Sequence, residues 1–159
     1  MSYTEQTSNS ISGQITLELQ AAHMYRGYSH HFNHPQVALK GFSQFFMDQA
    51  TEELQHADSF ITYHHMRGGK YSPDALVPVP SDHTLVQALD QALTLEKHVL
   101  SNLARIHECG DVQTQIFVEK YISHQTNSIA ELEALQTKAR RLSNVPGGTH
   151  LLDCELQRM

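Results

Sequence analysis

The sequence predicts an all-α protein: a four-helix bundle with a long crossover connection between helices two and three and a short C-terminal fifth helix. Three observations carry that prediction. Along four stretches, buried-type residues recur at alternating spacings of four and three, the pattern of a helix face packed inside a bundle. The breaks after the first and third stretches are short, and the break after the second is long and proline-rich. The 159 residues are 40% hydrophobic, which suits one domain with a sizeable core.

Taken in order, residues 1–9 read as a flexible arm and 10–159 as a single domain. Ser8, Asn9 or Ser10 is the expected cap of a first helix ending near Phe32. Its stripe is Ile11, Ile15, Glu18, Ala22, Tyr25, Ser29 and Phe32, and Asn33-His34-Pro35 breaks it. A second helix is expected from Pro35 or Val37 to Arg67, with Phe42, Phe46, Gln49, Glu53, His56 and Phe60 inward, and Gly68-Gly69 stops it. Pro73, Pro78 and Pro80 exclude a helix interior from the segment that follows. At roughly 3.3 Å per extended residue, a connector of about 14 residues can cross the length of a helix of about 27 residues. Ser81 or Asp82 is the expected cap of a third helix over about residues 83–109, with Leu85, Leu89, Ala92, Glu96, Val99, Leu103 and Ile106 inward. Gly110 ends it. Asp111 caps a fourth, about 112–142, with Val118, Tyr121, Gln125, Ser128, Leu132, Leu135, Ala139 and Leu142 inward. After Asn144-Val145-Pro146-Gly147-Gly148, Thr149 caps a last short helix through Leu156.

Composition narrows the function classes. Seventeen acidic and 11 basic residues give a net charge of −6, and Arg140-Arg141 is the one basic cluster, so no nucleic-acid surface is expected. No stretch approaches the ~18 apolar residues of a membrane span. The polar start Met1-Ser2-Tyr3-Thr4-Glu5-Gln6 resembles neither a signal nor a transit peptide. Cys109 and Cys154 lie far apart without a Cys-x-x-Cys, so they read as thiols in a reducing cytoplasm.

Every stripe carries polar residues near its middle: Glu18 with Tyr25, Glu53 with His56, Glu96, and Gln125 with Ser128. Three inward glutamates and a histidine repel one another in a dry core, because an uncompensated buried charge costs several kcal/mol, roughly. Two divalent cations offset that charge. Oxygen donors with one imidazole suit iron(II) or manganese and disfavour structural zinc. Di-iron carboxylate bundles carry a Glu on each of two helices and Glu-x-x-His on each of the other two. Here one Glu-x-x-His is complete and the fourth helix supplies the neutral Gln125. The pattern predicts a strong site from Glu18, Glu53 and His56. A weaker one has Glu53 as bridge, Glu96 as ligand, and Gln125 near bound water or oxygen. His124, about 100° around the helix from Gln125, is expected on the inner surface or exposed rather than as a ligand.

Several segments resemble a known family. Ile15-Thr16-Leu17-Glu18-Leu19-Gln20-Ala21-Ala22-His23-Met24-Tyr25 looks like the first helix of a ferritin. Phe45-Phe46, Gln49-Ala50-Thr51-Glu52-Glu53, His56-Ala57 and Arg67-Gly68-Gly69 look like its second, and Leu95-Glu96-Lys97-His98-Val99 like its third. The resemblance spans residues 10 to about 156 and is nearest to eukaryotic heavy-type, catalytic chains. It implies an enzyme, a ferroxidase that oxidises Fe(II) with dioxygen at a two-iron site and stores ferric mineral. Glu18, Glu53, His56, Glu96 and Gln125 are then the metal residues, and Tyr25 hydrogen-bonds a ligand. Glu52 and Asp48 resemble the family's cavity acidic patch. The implied assembly is a 24-subunit shell of this chain, alone or mixed with other ferritin chains. The alternative is a metal-binding assembly subunit with impaired iron access or shell formation. By the same resemblance the acidic pair of the family's three-fold channel falls at Gln115 and Val118, neither acidic, with Asp111 or Glu119 as substitutes.

Overall fold

The computed structural model describes residues 2–80 and 82–158. Five helices follow in order: α1 (Glu5–Asn33), α2 (Lys40–Met66), α3 (Leu85–Cys109), α4 (Val112–Leu142) and α5 (Gly148–Gln157). No strand occurs among the described residues. No helix among them is long and apolar enough to cross a membrane.

Side-chain ties give the topology. Tyr3 and Ser12, at the start of α1, reach His64 at the end of α2, so these helices are antiparallel. The connector then runs along α1. The Gln20 amide bonds Val77 in both directions, Val79 lies beside Gly27, and the His83 carbonyl accepts from His31 Nε2 at 2.7 Å. The chain therefore crosses the whole bundle before α3 begins, as its proline-rich stretch predicts. α3 returns past Tyr28, Tyr25, Gln14 and Thr7 in turn, antiparallel to α1. α4 runs back along α3 from the Gln115–His107 contact to the Gln136–Asp90 contact.

The helix ends differ from the sequence expectations for local reasons. The predicted arm is largely helical: α1 begins at Glu5, where Thr4 Oγ1 accepts from the Thr7 amide. Buried Thr7 donates to the Cys109 carbonyl at 3.2 Å, so this first turn is held by the far end of α3. α2 begins at Lys40, because residues 34–39 form a turn closed by Leu39 N donating to Phe32 O. α3 is capped by Thr84 in a capping box with Gln87 rather than by Asp82; Ser81 lies outside the described residues. α5 starts at Gly148, before Thr149. Asp111 caps α4 as predicted. Gly68 closes α2 with φ +87°, a left-handed conformation that costs a side-chain-bearing residue about 1–2 kcal/mol.

The core has two apolar halves. One holds Tyr28, Phe32, Phe42, Phe46, Leu89 and Leu132; the other holds Ile11, Ile15, Phe60, Val99, Leu103 and Val118. Each fully buried Phe, Leu or Ile contributes about 1.5–3 kcal/mol. α5 seals the first half. Its buried Asp153 accepts from Phe42 N at 2.8 Å, and a Cβ on Gly41 would stand 2.3 Å from the Asp153 carbonyl oxygen, so glycine is required there.

Candidate metal centre

A polar layer separates the two halves, and the predicted residues meet in it. Glu18 comes from α1, Glu53 and His56 from α2, Glu96 from α3 and Gln125 from α4. Each replaces an apolar residue on an inward stripe, so helix packing delivers all of them to one height. The three glutamates are 1–4% exposed and Gln125 is 2% exposed, while His56 is partly buried. Donor atoms of Glu18, Glu53 and His56 lie within 4.8 Å of one another. His56 Nδ1 is 3.3 Å from Glu53 Oε2 and 3.7 Å from Glu18 Oε2.

Glu96 occupies the other side. Tyr25 Oη donates to Glu96 Oε1 at 2.7 Å, and Gln125 Nε2 donates to the Glu96 carbonyl at 2.9 Å and to its carboxylate. Glu18 Oε1 accepts from Gln14 Nε2 at 2.8 Å, and Gln14 Oε1 in turn accepts from Asn102 Nδ2 at 2.8 Å. Glu18 Oε2 is buried with no hydrogen-bond partner among the described residues. A buried carboxylate oxygen left without a donor is costly, and a cation within reach of Glu53 and His56 removes that cost. The donor set is thus carboxylate oxygens and one imidazole, which suits a divalent transition metal.

The electrostatics follow from crowding. Burial and the crowding of the Glu18 and Glu96 carboxylates push Glu53 well above the usual carboxylate range. Burial also acts to raise Glu18, but its neighbours, the His56 imidazole among them, prevail and hold it below that range. Burial raises Glu96, partly offset by the Tyr25 and Gln125 hydrogen bonds. Burial lowers His56, but Glu18 and Glu52 outweigh it and raise the imidazole.

Two features escape the sequence reading. Gln14 and Asn102 form the buried chain behind Glu18. The signal was present as an i, i+4 Gln–Glu pair, but Gln14 falls beside the stripe rather than on it. His124 is the other: its Nε2 lies 2.6 Å from Glu52 Oε1, and Glu52, His56 and His124 form a second group with donor atoms within 4.8 Å. His56 thus touches both groups, through Nδ1 inward and Nε2 outward, the latter 3.9 Å from Glu52. Asp48 is exposed one turn away and accepts from Gln44, outside both groups.

The channel expectation needs correction. Val118 is fully buried in the core and lines no channel. Gln115 is half-buried and donates to the His107 carbonyl. Asp111 is committed to Arg67, whose Nη1 lies 3.1 Å from Asp111 Oδ1. Glu119 remains exposed, 3.1 Å from His107 Nε2, with Val112 and Ile116 exposed nearby on the same helix.

A long-crossover bundle with carboxylates and an imidazole converging at mid-height defines a class, the metal-binding four-helix carboxylate proteins. Comparison with known proteins narrows the class. The model of the ferritin-like domain family matches residues 9–142, and the chain belongs to that family. It is 32% identical over 161 residues to soma ferritin of Lymnaea stagnalis, covering 96% of this chain and 91% of that one. Ferritin-1 heavy chain of Schistosoma mansoni is 33% identical over 149 residues, 89% of this chain and 86% of that one. A chloroplastic ferritin of Malus baccata var. xiaojinensis is 31% identical over 159 residues; they cover 93% of this chain but 64% of that relative's length.

Proposed function

We propose that this chain stores iron and is a ferroxidase, oxidising iron(II) with dioxygen at the centre between the four helices. The observation that carries this reading is the buried Glu18, Glu53 and Glu96 layer with its unpartnered Glu18 oxygen. A layer so arranged is stable as a container for cations and strained without them. Glu18 and His56 hold one iron(II). Glu96 holds the other, positioned by Tyr25 and Gln125, and Glu53 spans the pair. Each iron(II) gives one electron to dioxygen, which takes up two protons and leaves as hydrogen peroxide. Glu53 and His56 bind iron(II) in their deprotonated forms, so any proton that either holds leaves as iron binds. The ferric product departs past His56 toward Glu52 and His124, and onward to Asp48 on the exposed face. Around this centre the chain assembles with copies of itself, or with other ferritin chains, into a 24-subunit shell. Its setting is a reducing cytoplasm that keeps Cys109 and Cys154 as thiols.

The test follows ferric absorbance after iron(II) is added in air. Wild type develops it rapidly. The double variant Glu53→Lys/His56→Gly places a cation where iron binds and falls to the rate of protein-free buffer. If the variant keeps pace with wild type, oxidation occurs elsewhere.

A further inference from the structure

We propose that the aromatic stack running from His56 to Tyr3 is an electron path, and that the Tyr3–His64 pair at its outer end is a redox-active tyrosine serving the metal centre when hydrogen peroxide is present. The proposal rests on the iron chemistry proposed above.

Two stripes face each other across α2 and α4: His56, Phe60 and Tyr63 on one, Phe117, Tyr121 and His124 on the other. The Tyr121 ring centroid is 5.3 Å from that of His56, and Phe117 is 5.3 Å from Tyr121. Phe117 and Tyr63 are nearly parallel, interplanar angle 6°, at 4.0 Å. Tyr63 meets Tyr3 edge-on at 6.3 Å. Aromatic side chains are common in cores for packing alone, and the Phe32–Phe42–Phe45–Phe46 cluster in the other half is such a case. The α2–α4 stack differs in how it begins and ends. It starts on a residue of the metal centre and finishes on a phenol with a base.

The three tyrosines are unequal stops for an electron vacancy. Lys120 Nζ sits 5.0 Å over the Tyr121 ring, so positive charge is disfavoured there. Tyr63 Oη receives Arg67 Nη1 at 2.7 Å and bonds Thr114 at 2.9 Å, with no base to take its proton. Tyr3 Oη lies 2.6 Å from His64 Nδ1. His64 is 1% exposed, and burial shifts its imidazole toward the neutral form, which can accept through Nδ1. Arg67 lies 5.0 Å from the Tyr3 ring, but its charge is met by Asp111. Tyr3 is thus the one stop where loss of an electron can be matched by transfer of a proton along an existing hydrogen bond.

The step balances as follows. Where the centre holds a single iron(II), that ion supplies one electron to hydrogen peroxide and Tyr3 supplies the second through the stack. The O–O bond breaks to two hydroxides, so no hydroxyl radical escapes. The Tyr3 phenol proton passes to His64 Nδ1, leaving a neutral phenoxyl radical beside an imidazolium. An external one-electron reductant such as ascorbate, with the proton returned by His64, restores the phenol.

The experiment adds hydrogen peroxide to the anaerobic protein loaded with one iron(II) per chain and records the freeze-quenched electron paramagnetic resonance spectrum. Wild type shows a tyrosyl signal. The signal falls to background in Tyr3→Phe, which keeps the ring but has no phenol, and in His64→Gln, which keeps the phenol but removes the base. Hydroxyl radical caught by a spin trap rises in both variants, while aerobic iron(II) oxidation by Tyr3→Phe equals wild type. A tyrosyl signal of wild-type size in Tyr3→Phe overturns the proposal. So does iron oxidation with no tyrosyl signal in any of the proteins, and that result leaves the ferroxidase reading standing. Failure of wild type to oxidise iron(II) overturns both.

Discussion

Glu53 sits where two opposing demands meet. Its ionised form is needed to hold metal, yet burial and its glutamate neighbours push its carboxyl well above the ordinary value. A raised carboxylate contributes stability that is complete below the unfolded value of about 4.3 and is lost as pH rises through the folded one. Metal-free Glu53→Gln should therefore be more stable than wild type at pH 7, by about 1–4 kcal/mol as for other buried charges replaced by neutral groups. The gap should close toward pH 4, and thermal melts of the metal-free proteins across that range measure it. Behind Glu18, Gln14 holds one carboxylate oxygen in place and Asn102 holds Gln14. Hydrogen-bond partners of metal ligands are worth about 10–100-fold in affinity. Gln14→Leu should weaken anaerobic iron(II) binding by that factor without touching a ligand, and calorimetric titration will read it. The polar layer is half legible in the sequence. Acidic residues on apolar stripes announced Glu18, Glu53 and Glu96, whereas Gln14, one position off the stripe, looked like any surface amide until α3 packed over it.

At the scale of elements, the ends of α2 and α4 are joined by Arg67 and Asp111, and Asp111 also accepts from the Thr114 amide as cap of α4. The guanidinium outweighs burial and holds the Asp111 carboxyl well below the usual range. A depressed carboxylate contributes stability that is present above its unfolded value, about 3.9, and lost as pH falls through the folded one. Wild type should exceed Asp111→Asn in urea midpoint at pH 6, and the difference should shrink progressively below about pH 4. An unchanged difference at pH 3 would mean that the pair does not carry the acid sensitivity. Four of the helices have sequence-visible periods, and the two hairpins and the crossover follow from connector length. The helix starts do not. Thr4 and Thr84 are the caps although nearby Ser and Asp are equally good by type, and the choice is made by tertiary contacts such as Thr7 to Cys109.

For the molecule as a whole, the proposed shell is tested by mass. The described surface exposes Val112 and Ile116 at the start of α4, beside Glu119 and His107. If the chain builds a shell, its solution mass is several hundred kilodaltons before and after iron loading. A dimer-sized species would instead favour the reading of a metal-binding assembly subunit. Light scattering with size exclusion separates the two. Substituting Glu119→Ala in the assembled protein then asks whether this exposed acid speeds iron's passage inward; a slower ferric progress curve is the expected outcome.

The sequence alone determined the bundle, its crossover and the convergence of Glu18, Glu53, His56, Glu96 and Gln125, because helical periodicity converts spacing along the chain into position on a face. It also placed Tyr25 near them, where its hydroxyl in fact meets Glu96. Tertiary structure alone decided the rest. The direction in which each carboxyl is shifted depends on neighbours from other helices. His124 joined Glu52 and His56 only because α2 and α4 pack at that rotation. Val118, by contrast, lies on the inward stripe that the period marks and is buried there, so a channel position counted from Gln125 does not hold for it: a residue's direction is fixed by the face its helix buries.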